Sequence, residues 1–151
     1  ELKELNDYDS ILLSPGPGIP NESGLLKTAI KHYAPSKKIL GVCLGQQAIG
    51  EVFGGTLINL KKVYHGVATP VKIIKEDYLF KDLPETFNVG RYHSWVVDTP
   101  LPKDLVATSF DEEGQLMSLR HIKYDVRAVQ YHPESILTPY GKRIVENWIN
   151  S

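Results

Sequence analysis

The only cysteine of the 151-residue chain, Cys43, lies between Gly41 and Gly45 in the sequence GVCLG. The spacing glycine-x-nucleophile-x-glycine is typical of a nucleophile elbow, a sharp turn between a strand and a helix that exposes the nucleophile. The glycines are required because side chains two residues before and after the nucleophile would collide with neighbouring backbone. The following helix points its positive amino end at the sulfur, which favours the thiolate. The alternative is a buried, unreactive cysteine that packs as a small apolar side chain.

A histidine and a carboxylate, His132 and Glu134, flank Pro133 near the end of the chain. In an extended segment, residues two positions apart point to the same side. A thiol nucleophile needs a base that accepts its proton and a carboxylate that holds the base in one tautomer. These residues predict a Cys-His-Glu triad, and a surface turn is the alternative for His-Pro-Glu. The remaining histidines are interpreted as structural or peripheral: His32, His65, His93 and His121.

A loop of alternating proline and glycine, Pro15-Gly16-Pro17-Gly18, could be a stiff turn or a binding loop. Glycine allows backbone N–H groups to approach a ligand closely, and one of them can donate to an oxyanion. The N–H of Leu44, directly after the cysteine, is the expected second donor. The loop lacks the G-x-x-x-x-G-K-[ST] pattern, so it is not interpreted as a phosphate loop.

Three short apolar runs lead into these candidate residues, and helical patterns separate the first two. The runs at 9–14 and 37–42 predict buried strands, the segment 125–135 predicts another that ends at His132-Pro133, and the segments 23–34 and 46–53 predict helices. This order predicts parallel strands with right-handed crossovers. The loops at the carboxyl ends of parallel strands share one edge, where open α/β sheets bind ligands. The thiol, the imidazole-carboxylate pair and the glycine loop are therefore expected to meet.

The pattern of apolar and turn residues changes between residues 56 and 121. Strand-like runs alternate there with turns, which predicts antiparallel hairpins. A last helix is predicted with Thr138 as its cap and Pro139 at its first position, and Ser23 is predicted to cap the first helix. We therefore expect an α/β fold with an open, mostly parallel sheet flanked by helices and an antiparallel region in its second half. Residues 1–151 are interpreted as one domain.

The composition limits the classes of function. Lysine plus arginine (17) nearly balances aspartate plus glutamate (18), so nothing indicates a nucleic acid or an anionic membrane as partner. One cysteine and scattered histidines match no metal-site spacing, and we expect neither a metal nor a cofactor. A single cysteine, no spanning segment and no signal pattern fit a cytoplasmic protein.

Five segments of the chain, taken together, resemble the class I (triad-type) glutamine amidotransferases. The resemblance is greatest to the glutaminase component of anthranilate synthase and its sibling in aminodeoxychorismate synthase, and it extends from Ile11 to Trp148. Such proteins usually begin with a strand and helix that this sequence lacks, so it is expected to be N-terminally incomplete, and Gln46 stands where the family often has histidine. The segments are LSPGPGIP (13–20), GVCLGQQAIGEVFGG (41–55), VYHGVATPV (63–71), GRYHSWVV (90–97) and QYHPESILTPYG (130–141).

The resemblance implies a role for each candidate residue. Cys43 would attack the carboxamide of glutamine and form a γ-glutamyl thioester, with His132 as acid and base and Glu134 as its orienting carboxylate. Ammonia would leave, and water would then release glutamate. The implied contacts to glutamine are Gly16, Pro17, Gly18, Leu44, Gln47, Ser94 and Trp95, with the Gly18 and Leu44 N–H groups as oxyanion donors.

The resemblance also implies a partner, a chorismate-binding synthase subunit that receives the ammonia. The preferred interpretation is anthranilate synthase component I, in tryptophan biosynthesis. The alternative is aminodeoxychorismate synthase component I, in folate biosynthesis. Two further alternatives are another cysteine γ-glutamyl hydrolase and a non-catalytic binding domain.

Overall fold

The apolar runs of the chain form nine strands, and three α-helices and three short 3-10 helices connect or flank them. The computed structural model describes residues 1–151. The strands are β1 (Ser10–Leu13), β2 (Lys38–Val42), β3 (Leu57–Asn59), β4 (Val67–Ile73), β5 (Thr86–Arg91), β6 (Trp95–Val97), β7 (Leu105–Asp111), β8 (Leu116–His121) and β9 (Val126–Val129). The α-helices are α1 (Leu26–Tyr33), α2 (Leu44–Val52) and α3 (Gly141–Ile149), and the 3-10 helices span Leu2–Asp7, Pro20–Glu22 and Tyr78–Phe80.

Seven strands form one mixed sheet in the order β1-β2-β9-β8-β7-β4-β5. β1, β2 and β9 are parallel to one another, and the following four pairings are all antiparallel. The predicted α/β fold with an antiparallel region is thereby confirmed. The antiparallel part is the larger one, so the parallel character is confined to the three strands that end at the candidate residues.

One apolar core extends from β1 to α3. It includes Ile11 of β1 and Trp148 of α3, together with the nearly continuous apolar residues of β2 and β9. Such runs are typical of central strands covered on both faces. α2 packs against β2 and β9, and α3 packs against the 3-10 helix at Tyr78–Phe80. None of the helices is both long and apolar enough to cross a bilayer.

The segment 87–97 is a single strand-like run in the sequence, but it contributes strands to two different sheets. β5 ends at Arg91 in the seven-stranded sheet, and β6 begins at Trp95 and pairs antiparallel with β3 in a separate two-stranded sheet. Gly90, next to the end of β5, packs tightly on the loop after β9. A Cβ atom at Gly90 would lie 2.8 Å from the Ser135 hydroxyl.

Both predicted side-chain caps are wrong. α1 begins at Leu26 without a side-chain cap, and the Ser23 hydroxyl donates to the Ile19 carbonyl instead. α3 begins at Gly141, and Pro139 precedes it. The buried Thr138 hydroxyl accepts from the Gly90 N–H at 2.8 Å and donates to the His132 carbonyl at 2.7 Å. It therefore ties the loop after β9 to β5 rather than capping a helix.

We predict that Thr138→Val lowers the free energy of unfolding by about 2 kcal/mol, because it leaves a buried N–H and a carbonyl without their hydroxyl partner. Thr86→Val is the matched control, since Thr86 is exposed and its hydroxyl makes no hydrogen bond; we expect a change within about 0.5 kcal/mol. Urea denaturation followed by circular dichroism measures both. Equal midpoints for Thr138→Val and the unsubstituted chain would contradict the prediction.

Candidate active site

The three parallel strands end side by side and bring the candidate residues to one edge of the sheet. Leu13 of β1 pairs with Gly41 of β2, and Val42 of β2 pairs with Val129 of β9. The glycine loop, Cys43 and the segment with His132 directly follow these strand ends. The three segments therefore leave the sheet at its carboxyl edge, as the predicted parallel order requires.

Cys43 occupies a strained turn between β2 and α2. Its φ of 56° lies in the left-handed region that side chains other than glycine rarely adopt, a conformation that costs on the order of 1–3 kcal/mol. A Cβ atom at Gly41 would lie 2.7 Å from the backbone of Gly45, and one at Gly45 would lie 2.7 Å from the Leu13 carbonyl oxygen. The steric need for both glycines, predicted from the sequence, is confirmed.

The thiol of Cys43 is buried, with 5% of the residue exposed. Its pKa is raised to about 11, mainly by burial and to a lesser degree by the negative charge of Glu134, while the Leu44 N–H and the side chain of Gln130 act to lower it. The helix-end effect therefore acts in the predicted direction, but burial outweighs it. A reaction of this sulfur near neutral pH needs a base.

His132 lies in a turn immediately after β9, with its ring facing Glu134. Its Nδ1 is 3.2 Å from Oε2 of Glu134. Because a carboxylate only accepts hydrogen bonds, Nδ1 carries the ring proton and Nε2 is left as the acceptor. Nε2 is buried without a hydrogen-bond partner, and the ring packs edge-on against Tyr92, with the centroids 4.7 Å apart. The segment is thus a turn, closed by the Ser135 N–H on the His132 carbonyl, and it still pairs imidazole and carboxylate.

The glycine loop is exposed beside the start of α2. Gly18 has a φ of +78°, which requires a residue without a Cβ atom. A Cβ atom at Gly16 would lie 3.2 Å from the Leu44 side chain, and one at Gly18 would lie 2.7 Å from a carboxylate oxygen of Glu22. Gly16, Pro17 and Gly18 therefore form an open surface beside Leu44, with an acidic side chain next to Gly18.

Three of the residues implied to contact glutamine, Gln47, Ser94 and Trp95, already take part in hydrogen bonds within the chain. Nε2 of Gln47 donates to the Trp95 carbonyl at 2.9 Å, and the Ser94 carbonyl accepts from the Leu60 N–H at 2.7 Å. Gln47 is almost completely buried. A ligand at these groups must therefore compete with hydrogen bonds that exist within the chain.

Two polar residues at this site were not singled out from the sequence. Gln130, fully buried, donates from Nε2 to Sγ of Cys43 at 3.5 Å. His93 donates from Nδ1 to the Trp95 carbonyl at 2.9 Å and accepts from Nε of Arg91 at 3.1 Å. Burial and the Arg91 charge lower the pKa of His93 to about 4, so its ring is neutral at physiological pH. Gln130 lies in the segment 130–141 and His93 in the segment 90–97, both of which carry the family resemblance. That resemblance is the only feature of the sequence that indicated these two residues.

The strand order places a cysteine on a nucleophile elbow and a histidine paired with a carboxylate after neighbouring strands, without a hydrogen bond between the sulfur and the imidazole. A model of the family "Glutamine amidotransferase class-I" matches residues 1–151. The chain belongs to the class I glutamine amidotransferase family, and the resemblance noted in the sequence is confirmed.

Named relatives are similar over nearly the whole chain. Aminodeoxychorismate synthase component 2 of Klebsiella aerogenes is 43% identical over 93% of this chain and 75% of its own length. Anthranilate synthase component 2 of Cyanophora paradoxa is 42% identical over 99% of this chain and 79% of its own length. The crystal structure of a Thermoplasma acidophilum protein named for GMP synthase superposes with a TM-score of 0.88 at 28% identity. It matches 99% of this chain and 75% of that one.

We predict that alkylation of Cys43 by iodoacetamide is slow at pH 7.5 and rises about tenfold per pH unit, because its pKa of about 11 leaves little thiolate below that value. The chain has one cysteine, so mass spectrometry counts a single adduct without ambiguity. A rate that reaches a plateau near pH 8 would contradict the raised pKa. Free cysteine in the same buffer is the reference for the intrinsic rate.

Proposed function

We propose that this chain is the glutaminase component of a chorismate-aminating synthase, with anthranilate synthase as the favoured assignment. The observation that carries the proposal is the position of the Cys43 elbow beside the His132–Glu134 pair on one sheet edge. The named relatives include components of aminodeoxychorismate synthase and anthranilate synthase, which supports a synthase partner for this chain. Aminodeoxychorismate synthesis is the second candidate, because a relative of that name is about equally similar.

In the proposed reaction, Nε2 of His132 takes the proton of the Cys43 thiol as the sulfur attacks the carboxamide carbon of glutamine. The carbonyl oxygen becomes an oxyanion, which accepts from the Leu44 N–H and from the Gly18 N–H. The protonated histidine then gives its proton to the leaving nitrogen, and ammonia departs from a γ-glutamyl thioester.

The second half of the reaction reverses these roles. His132 removes a proton from water, the resulting hydroxide attacks the thioester carbon, and the carbon–sulfur bond breaks. The thiolate regains a proton from the imidazolium, and glutamate leaves. Glu134 accepts from Nδ1 throughout, which keeps Nε2 directed to the reacting atoms and stabilises the imidazolium.

Burial of the thiol supports the proposed role of His132 as the base that activates Cys43. With a pKa of about 11, the sulfur carries little charge until a base acts on it. The unpartnered, buried Nε2 of His132 is available for that step. A protein that only bound a ligand at this edge would gain nothing from a strained cysteine next to an imidazole of fixed tautomer.

The ammonia would pass to a component I synthase subunit, which we propose docks beside the site on the loops at Tyr64–Gly66 and Ile136–Tyr140. Ile136 is 96% exposed, and Tyr92 and Tyr140 are partly exposed on the same side. The hydroxyl of Tyr92 bonds to that of Ser135 at 2.9 Å while its ring contacts His132. A docked component I would therefore contact residues that position His132, the proposed base.

We predict that Cys43→Ser abolishes glutamine-dependent synthesis by the complex and leaves ammonia-dependent synthesis intact. The hydroxyl is a weaker nucleophile that a base suited to a thiol does not activate, whereas the synthase subunit needs only ammonia. The measurement is product formation from chorismate with glutamine or with an ammonium salt. Loss of both activities in an assembled complex would contradict the proposed division of labour. Whether the product is anthranilate or aminodeoxychorismate decides between the two candidates.

We predict that Ile136→Asp weakens the binding of component I by a factor of at least about ten, because it places a charge in an apolar contact. Ile122→Asp is the matched control, since Ile122 is 55% exposed beyond β8, at the opposite edge of the sheet. Isothermal titration calorimetry measures both affinities. Equal affinities for the two variants would exclude the loop at Ile136–Tyr140 as part of the interface.

A further inference from the structure

Gln130 is a buried polar residue that the proposed reaction does not use. It follows β9 directly, none of its surface is exposed, and its Nε2 lies 3.5 Å from Sγ of Cys43. Its Oε1 accepts from Nε2 of Gln47 at 3.4 Å. Both ends of this amide are therefore engaged inside the site, one of them by the proposed nucleophile.

The direction of these hydrogen bonds follows from a backbone carbonyl. The Trp95 carbonyl can only accept, so the Gln47 atom 2.9 Å from it is the amide nitrogen. The second hydrogen of that nitrogen points to Gln130, which makes the facing atom of Gln130 its oxygen. The nitrogen of Gln130 must then face Cys43, and the sulfur is the acceptor.

The carbonyl that fixes this direction is itself firmly held. A guanidinium cannot accept hydrogen bonds, so Nε2 of His93 accepts from Arg91, and Nδ1 of His93 donates to the Trp95 carbonyl. Arg91 is buried and forms a 2.7 Å ion pair with the equally buried Asp111. The carbonyl of Trp95 thus receives two donors, and the orientation of Gln130 does not depend on solvent.

We infer that Gln130 is a positioning residue for Cys43: its N–H donates to the sulfur, stabilises the charge that forms when the proton leaves, and turns the S–H hydrogen toward other acceptors. The inference rests on the proposed function for the reaction that this contact serves, whereas the contact itself exists whatever the substrate. Among the ionisable groups of this site, Glu134 acts on the sulfur through its charge, which opposes thiolate formation. Gln130 acts in the opposite direction.

The test is the alkylation rate of Cys43 in Gln130→Met, which keeps the size of the side chain and removes the donor. We expect alkylation by iodoacetamide about tenfold slower than in the unsubstituted chain at each pH between 7.5 and 9.5, as follows from losing a hydrogen bond to a charged group. The slope against pH should not change. A merely structural role predicts the opposite sign, because loosened packing exposes the thiol and speeds alkylation.

Gln46→Met is the matched control. Gln46 lies on α2 and is as deeply buried as Gln130, but neither of its amide atoms has a hydrogen-bond partner. We expect its alkylation rate to stay within about twofold of the unsubstituted chain, since no donor to sulfur is lost. Gln130→Glu is the second test variant, which removes the donor and adds a charge, and it should slow alkylation at least as much as Gln130→Met.

An alkylation rate equal to or above that of the unsubstituted chain in either folded Gln130 variant would overturn the inference. So would a decrease of the same size in Gln46→Met. In the synthase complex we also expect Gln130→Met to lower kcat for glutamine about tenfold with little change in KM, as for an interaction made in the transition state. If the unsubstituted complex does not hydrolyse glutamine, the proposed function fails, and the alkylation rates still decide the role of Gln130.

Discussion

The close approach of backbone at Gly41 and Gly45 is the constraint on which the rest of the site depends. The start of α2 rests on the end of β1 at a distance that leaves no room for a Cβ atom. This contact sets the turn in which Cys43 adopts its positive φ. It also places Gly16 of the glycine loop beside Leu44, so the nucleophile and the loop that carries Gly18 meet at one junction.

The same packing acts on reactivity in two opposing ways. It orients the sulfur and points the Leu44 N–H at it, but it also removes the thiol from water and raises its pKa. Packing alone therefore makes a well-placed but protonated thiol. Among the polar side chains nearby, Gln130 donates to the sulfur and lowers its pKa, and His132, held by Glu134, is the base that we propose removes the proton. Position and the proposed activation of the thiol therefore come from different parts of the fold.

The sequence predicts those features that depend on neighbours along the chain or on strand order. The glycines around Cys43 are required by local sterics, and the β-α-β order places three loops on one edge, so both predictions hold. The caps assigned to Ser23 and Thr138 are wrong because each hydroxyl finds a partner elsewhere, which cap preferences do not include. Gln130 meets Cys43 across 87 positions, and no local pattern indicates such a contact. The pKa of Cys43 likewise depends on burial depth, which spacing does not reveal.

Gln130 and His132 are two positions apart on the segment that leaves β9. Their separation is consequently set by the local backbone of this segment, and not by the packing of one strand on another. A substitution in the core that slides or twists β9 against β2 would carry both side chains together. The spacing of the donor and the imidazole thus does not depend on the packing of β9 on β2, and that packing sets one distance, between strand β9 and the elbow.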